Sequence, residues 1–317
     1  MPDYNGIYAE YVSLLAQENP PSLNLSATLE VKSRVALGLR TKYLNLLADY
    51  LGTNVIAYYS TWVQSSNTSN PNIELSICDN DMNGFMNAVS GLDKTKGLSL
   101  VLHTPGGGVS ATQALANYLL DEFGGNFSVI VPHLAMSAGT MIACSSKVII
   151  MGKHSSLGPI DPQYKGVPAE GVISEFNRAM EEVHAEPNRV LLWREIISKY
   201  PPTFIGECQN AIDLSKQFIL EKLTNGMFAQ LSNKEELAKK VVEFLSHDAS
   251  KQHDKHYGLA ECKKAGLNVR SLEDDQVLQN LVLSVYHSYV VSTYELQNAV
   301  KFIDNNSGKS FMITGKR

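Results

Sequence analysis

The chain has few cysteines. Cys78, Cys144, Cys208 and Cys262 are the only four in 317 residues, far apart and without paired spacing. That usage indicates neither a disulfide framework nor a zinc site and fits reduced thiols in a cytosol. The sequence also lacks a surplus of positive charge, since 27 Lys and Arg against 32 Asp and Glu give a formal net charge of −5 at pH 7. There is no basic field to attract nucleic acid or anionic lipid, so neither is expected as a partner. Lys239-Lys240 and Lys263-Lys264 read as solvated helix faces. Long apolar runs are missing too. Met136 to Met151 comes nearest to the roughly 18–20 residues of a membrane helix, and Ser145, Ser146 and Lys147 interrupt it. Met1-Pro2-Asp3-Tyr4 lacks the basic-then-apolar layout of a secretion signal. No two His or acidic residues show HExxH-type spacing, so no metal is implied. No nucleotide fingerprint or pyridoxal-type lysine motif is visible, so no cofactor is expected. At 44% hydrophobic and 19% charged residues the composition is ordinary for a globular protein with a sizeable core. The expectation is a soluble, cytoplasmic protein without an integral membrane segment.

Residues 1–28 are polar and proline-punctuated and read as an N-terminal arm. From Leu29 to Tyr50 apolar residues recur at helical spacing, and Val55 to Trp62 is β-branched and aromatic, a strand. Gln64 to Asn72 is a Ser- and Asn-rich loop. A helix over Asp81 to Leu92 leads to a strand over Leu98 to Leu102, a helix over Ser110 to Phe123 and a strand over Phe127 to Val131. A short helix to Cys144 and a strand over Lys147 to Met151 follow. Strands alternating with helices imply βαβ units and a mainly parallel sheet, so residues 29–168 are expected to form an α/β core. Beyond Pro168 helical patterns cover Glu170–His184, Asn188–Ser198, Ile205–Leu231, Lys234–Leu245 and Asp274–Phe302. This 169–304 region is expected to complete the core and carry oligomer contacts. Residues 305–317 read as a polar, frayed tail.

Two short strings carry the chemistry: His103-Thr104-Pro105-Gly106-Gly107-Gly108 and Ala135-Met136-Ser137-Ala138-Gly139-Thr140. Each follows a buried strand and leads into a helix, so both turns belong at the same end of one sheet. The glycine turn has neither the Lys-Ser/Thr of a P-loop nor GxGxxG spacing. What it offers is backbone N–H groups unobstructed by Cβ atoms. Ser137, flanked by small residues at a helix start, would present its Oγ there, with the Ala138 N–H free to stabilise negative charge. The bland alternatives are a tight turn and a helix N-cap serine. Together the two turns favour a nucleophile facing an oxyanion site, which is acyl-transfer chemistry.

The pair HTPGGG and AMSAGT, followed by Ser156-Leu157-Gly158-Pro159-Ile160-Asp161-Pro162-Gln163, resembles the serine dehydrogenase proteinase family. That family is related to signal peptide peptidase A and to the Clp protease/crotonase fold. The resemblance is close over residues 98–165, with a weaker echo at 253–269 in Glu261-Cys262-Lys263-Lys264-Ala265-Gly266-Leu267. It implies a spiral of ββα units with a helical C-terminal half, homo-oligomers, peptide or unfolded-protein substrates and a serine peptidase. Ser137 would be its nucleophile, and Gly106 or Gly107 with Ala138 would supply the oxyanion donors. It points to His253 as general base, although Lys255-His256-Tyr257 after it depart from the family's pattern. His256, Lys153 and Lys165 are the rivals. Asp161 stands where relatives carry a histidine; with an unperturbed pKa of about 4 it is a poor base but could orient one. Two other functions stay open on the same fold: a crotonase-like acyl-CoA enzyme with Asp161 as base, and a non-catalytic scaffold or peptide-binding member.

Overall fold

The computed structural model describes residues 3–18, 25–64, 74–164, 167–246, 255–296 and 298–315. Its centre is a seven-stranded sheet built from β1 (Asn54–Ser60), β2 (Leu98–His103), β3 (Phe127–Val131), β5 (Ile149–Met151), β10 (Val269–Ser271), β11 (Ala299–Asn305) and β12 (Ser310–Thr314), in the order β10-β5-β3-β2-β1-β11-β12. The five strands from β10 to β1 are parallel; β11 and β12 add an antiparallel edge. The fold is thus the mixed α/β type with a mainly parallel sheet that the alternation of strands and helices predicts.

Both faces are buried, which is why the strands read as near-continuous apolar runs. Alternate side chains divide between two cores. Ile56, Tyr58, Leu100, Leu102, Val129 and Val131 meet helices α3 (Asp81–Val89), α4 (Val109–Glu122), α5 (Ala138–Cys144), α8 (Phe204–Lys222) and α9 (Lys234–Leu245). Val55, Ala57, Tyr59, Val101, Ile130 and Phe302 meet α1 (Tyr4–Gln17), α2 (Leu25–Leu51) and α11 (Gln276–Glu295). α6 (Ala169–Ala185) and the start of α8 share a small core of their own around Ala169, Val172, Phe204, Cys208 and Ile212, and α7 (Val190–Ile197) lies between them in the chain.

Three segments differ from the sequence expectation. The N-terminal stretch contains α1, whose Ile7 and Tyr11 are fully buried against the second core. The helical pattern from Asp274 stops at Glu295, and Ala299–Asn305 forms β11 against β1. The polar stretch after Asn305 becomes β12, paired to β11. The strand is made by the apolar residues Phe311, Met312 and Ile313 within that stretch, and Phe311 packs against the first core. Among the described residues no helix is long and apolar enough to cross a membrane.

Candidate active site

The two turns singled out in the sequence are stitched together at the C-terminal edge of the sheet. Thr104 N–H donates to Leu134 O at 3.0 Å, and Met136 N–H donates to Thr104 O at 3.0 Å. This parallel bridge brings Thr104 beside Ala135, in the two-residue strand β4 (Leu134–Ala135). The glycine turn then folds onto the serine. A Cβ on Gly106 would lie 2.7 Å from Ser137 Cβ, and Gly106 has φ +105°, so only glycine serves at that point.

Ser137 has φ 49° and ψ −115° and is the only positive-φ non-glycine among the described residues. It is half-buried, and its side chain makes no cap hydrogen bond to α5, so it does not act as an N-cap serine. A non-glycine residue in this region costs about 1–3 kcal/mol and persists only where its surroundings enforce it. Of the nearby amides, that of Gly106 is used, donating to Thr104 Oγ1 at 3.1 Å. Among the described residues the Gly107 and Ala138 amides have no hydrogen-bond partner. The glycine turn is held from its other side by Ile77, whose N–H donates to Gly106 O at 2.7 Å and whose carbonyl accepts from Gly108 N–H at 2.9 Å.

The remaining candidates lie as follows. His253 and Lys165 fall outside the described residues. Lys153 is exposed in the turn after β5, and its amide donates to Glu273 Oε1 at 2.8 Å beside the sheet edge; no hydrogen bond or ion pair joins it to Ser137. Asp161 is buried, and its Oδ1 accepts from Glu170 N–H at 3.2 Å at the start of α6. His256 is exposed. It immediately precedes β9 (Tyr257–Gly258), which pairs with β6 (Ser156–Leu157), which in turn pairs with β4. The chain around residue 257 therefore returns to the serine turn, two strands away from Ala135.

His103 and His133 occupy the opposite face of the sheet edge. His103 is fully buried with Nδ1 3.2 Å from Leu134 O, and stacks on His133 with ring centroids 5.5 Å apart. Burial first, and then the neighbouring His133, pulls its pKa down to about 3, so the ring is neutral. His133 Nδ1 lies 3.0 Å from Tyr286 Oη on α11. Burial first, then His154 and His256, lowers its pKa as well. Both rings brace the turns from behind. Among the described residues no group of His, Cys, Asp and Glu is arranged to hold a metal ion.

Thr104, Thr140 and Gly158, to which sequence reasoning gave no role, are bonded to or packed against the serine turn. The one local signal was the threonine three residues after Ser137. A groove of about 1020 Å³ lies elsewhere, between α6, α7 and α8, lined by Phe176, Met180, Val183, Trp193 and Ile197.

Comparison with known proteins extends these observations. The family model described as ClpP-like SDH-type serine proteinase matches residues 30–309. Two uncharacterized proteins of Methanocaldococcus jannaschii are each 30% identical to the chain, over 199 and 186 residues. Those alignments cover 62% and 59% of this chain and 62% and 56% of the relatives. The chain thus matches about three fifths of the length of these curated relatives.

Proposed function

Because the chain belongs to the ClpP-like serine proteinases of the SDH type, we propose that it hydrolyses peptide bonds with Ser137 as the nucleophile. One observation carries this reading. Ser137 sits strained at the head of α5 with its side chain unused by the helix, while Gly106 is packed against its Cβ. A cap serine would need neither feature.

In this reading Ser137 Oγ attacks the carbonyl carbon of a bound peptide and its proton passes to a general base. The negative charge that builds on the carbonyl oxygen is met by the Gly107 and Ala138 amides; removing such a donor typically costs on the order of 100- to 1,000-fold in turnover. The base then returns the proton to the leaving amine as the C–N bond breaks, and a water deprotonated by the same base cleaves the resulting Ser137 ester, releasing the acid and restoring the hydroxyl. We assign the base to His253. It stands four residues before Tyr257, about 13 Å of chain at most, and Tyr257 is registered opposite Leu157 beside the serine turn. Leu245 O, before the same stretch, accepts from Ile160 N–H at 2.9 Å. Both flanks of the stretch therefore attach to the segment that runs past Ser137. Asp161, in that segment, is assigned to orienting the imidazole. Lys153 is the alternative base. The substrates are peptides or unfolded chains, and the assembly is a homo-oligomer with contacts through the 169–304 region.

A fluorophosphonate probe tests this directly. The parent protein is expected to label stoichiometrically and Ser137→Ala to fold but not label. Equal labelling of the two would exclude Ser137 as the reactive group. His253→Ala is expected to slow both labelling and peptide hydrolysis with little change in KM, because proton transfer belongs to the chemical step.

A further inference from the structure

Thr140 lies fully buried in the first turn of α5, three residues after the serine. Its Oγ1 is 3.0 Å from Ala135 O and 2.9 Å from Gly158 O, and it accepts from Gly158 N–H at 2.9 Å. A hydroxyl donates once and accepts twice, so a single side chain serves main-chain groups on both sides of the serine turn.

The need for this arises from the ladder itself. β4 and β6 pair for two residues only, Leu134 with Ser156 and Ala135 with Leu157. The ladder cannot continue, because the chain bends at Met136 and Ser137 into α5. Gly158, the next residue on the partner strand, is buried, and its N–H would be left unpaired without the Thr140 hydroxyl, which accepts it and has one proton to donate across to Ala135 O. A buried backbone group without a partner costs about 1–3 kcal/mol. The threonine hydroxyl takes the place of the absent rung.

Gly158 is in turn pressed against the serine. A Cβ built there would lie 3.0 Å from Ser137 N and 3.2 Å from Met136 Cα. Ser137 is therefore held between Gly106, packed on its side chain, and Gly158, packed on its amide. Gly106 is fixed by Ile77 and Thr104, whereas the side-chain contact that fixes Gly158 comes from Thr140. We propose that Thr140 is a positioning residue for the nucleophile: its hydroxyl clamps the 158 segment against the serine turn and keeps Ser137 in its left-handed conformation. This rests on the reading of Ser137 as nucleophile. Thr140 does not touch substrate; it acts through the serine backbone.

Two variants separate the hydroxyl from the shape. Thr140→Val removes the hydroxyl at nearly constant volume, and Thr140→Ser retains it. With Thr140→Val, kcat for peptide hydrolysis and the second-order rate of fluorophosphonate labelling are expected to fall about 10- to 100-fold, with KM within about 3-fold of the parent. These rates are measured at a temperature where circular dichroism shows the variant folded. Thr140→Ser is expected to restore both rates to within about 5-fold of the parent. Unchanged rates with Thr140→Val, or a loss that Thr140→Ser does not restore, would overturn the clamp. If Thr140→Val does not fold, Thr140→Ala, which only removes atoms, is measured against the same expectations. If the parent itself does not label, the nucleophile reading fails instead, and the crystal structure of the Thr140→Val or Thr140→Ala variant judges the clamp. Relaxation of Ser137 to negative φ would support it, and a retained positive φ would overturn it.

Discussion

At Lys301 a full positive charge sits in the core. Its Nζ pairs with Asp81 Oδ1 at 2.7 Å and donates to Ser76 O at 2.9 Å, and both partners in the ion pair are fully buried. Asp81 Oδ2 accepts from Tyr58 Oη at 2.9 Å and from Cys78 N–H at 3.0 Å. Burial first, and then the adjacent Asp81, pushes the Tyr58 phenol well above its ordinary pKa, so it stays a donor. These contacts fix residues 76–78, and Ile77 among them holds the glycine turn. A charge in the interior thus bears on the candidate active site through three short links. Lys301→Met is expected to cost about 3–5 kcal/mol, because Asp81 would remain buried without its counter-charge. Pairing it with Asp81→Asn should cost less than the sum of the two single changes; strictly additive losses in urea unfolding would show that the pair is not coupled. None of this is visible in local sequence, since Lys301 and Asp81 stand 220 positions apart and neither belongs to a motif. Gly106 and Ser137, by contrast, were legible as residues because small side chains after a buried strand have few other uses.

At the level of elements, α7 stands out because Val190, Leu191, Leu192 and Ile197 are all exposed. Leu191 and Leu192 are 70% and 58% exposed, whereas Trp193 is buried, donating Nε1–H to Glu182 Oε2 at 3.0 Å beneath the Arg178 guanidinium. The helix is held by one aromatic anchor and leaves its leucines outside. Trp193→Ala is expected to destabilise the α6–α7 unit by about 3 kcal/mol, seen as faster amide exchange across α7. Leu191→Lys should change stability by no more than about 0.5 kcal/mol. Equal exchange in the two variants would show that Trp193 is not the anchor. The sequence periodicity identified these helices but not the strand after Glu295. The residues of β11 gain strand geometry from pairing with β1, about 240 positions earlier in the chain. Local propensity does not register a partner that distant.

Over the whole molecule, the sheet separates two cores, and on the side closed by α11 His103 is buried while His133 and His287 are half-buried. Burial lowers the pKa of His103, to about 3, and lowers those of His133 and His287 from 6.5. His103 is neutral in the native state, and all three bind protons less readily there than in the unfolded chain, so unfolding below about pH 6.5 takes up protons. The unfolded state then binds more protons, so stability falls as pH falls, and His103 goes on contributing down to its native value near 3. Each such histidine contributes a slope of up to about 1.4 kcal/mol per pH unit. Urea midpoints should therefore drop between pH 7 and 5, above the range where carboxylates titrate. A flat profile across that interval would contradict the burial of these rings.

The order of residues was enough to specify the alternation of strands and helices, the parallel sheet, and the two turns where chemistry is expected, because each follows from short-range spacing of apolar and small residues. Three-dimensional packing alone settled which amides near Ser137 are left unpaired, what wedges the serine into its strained backbone, and how the chain after Glu295 closes the sheet. Those outcomes depend on contacts between residues that the chain keeps far apart, and such contacts exist only once the layers have come together.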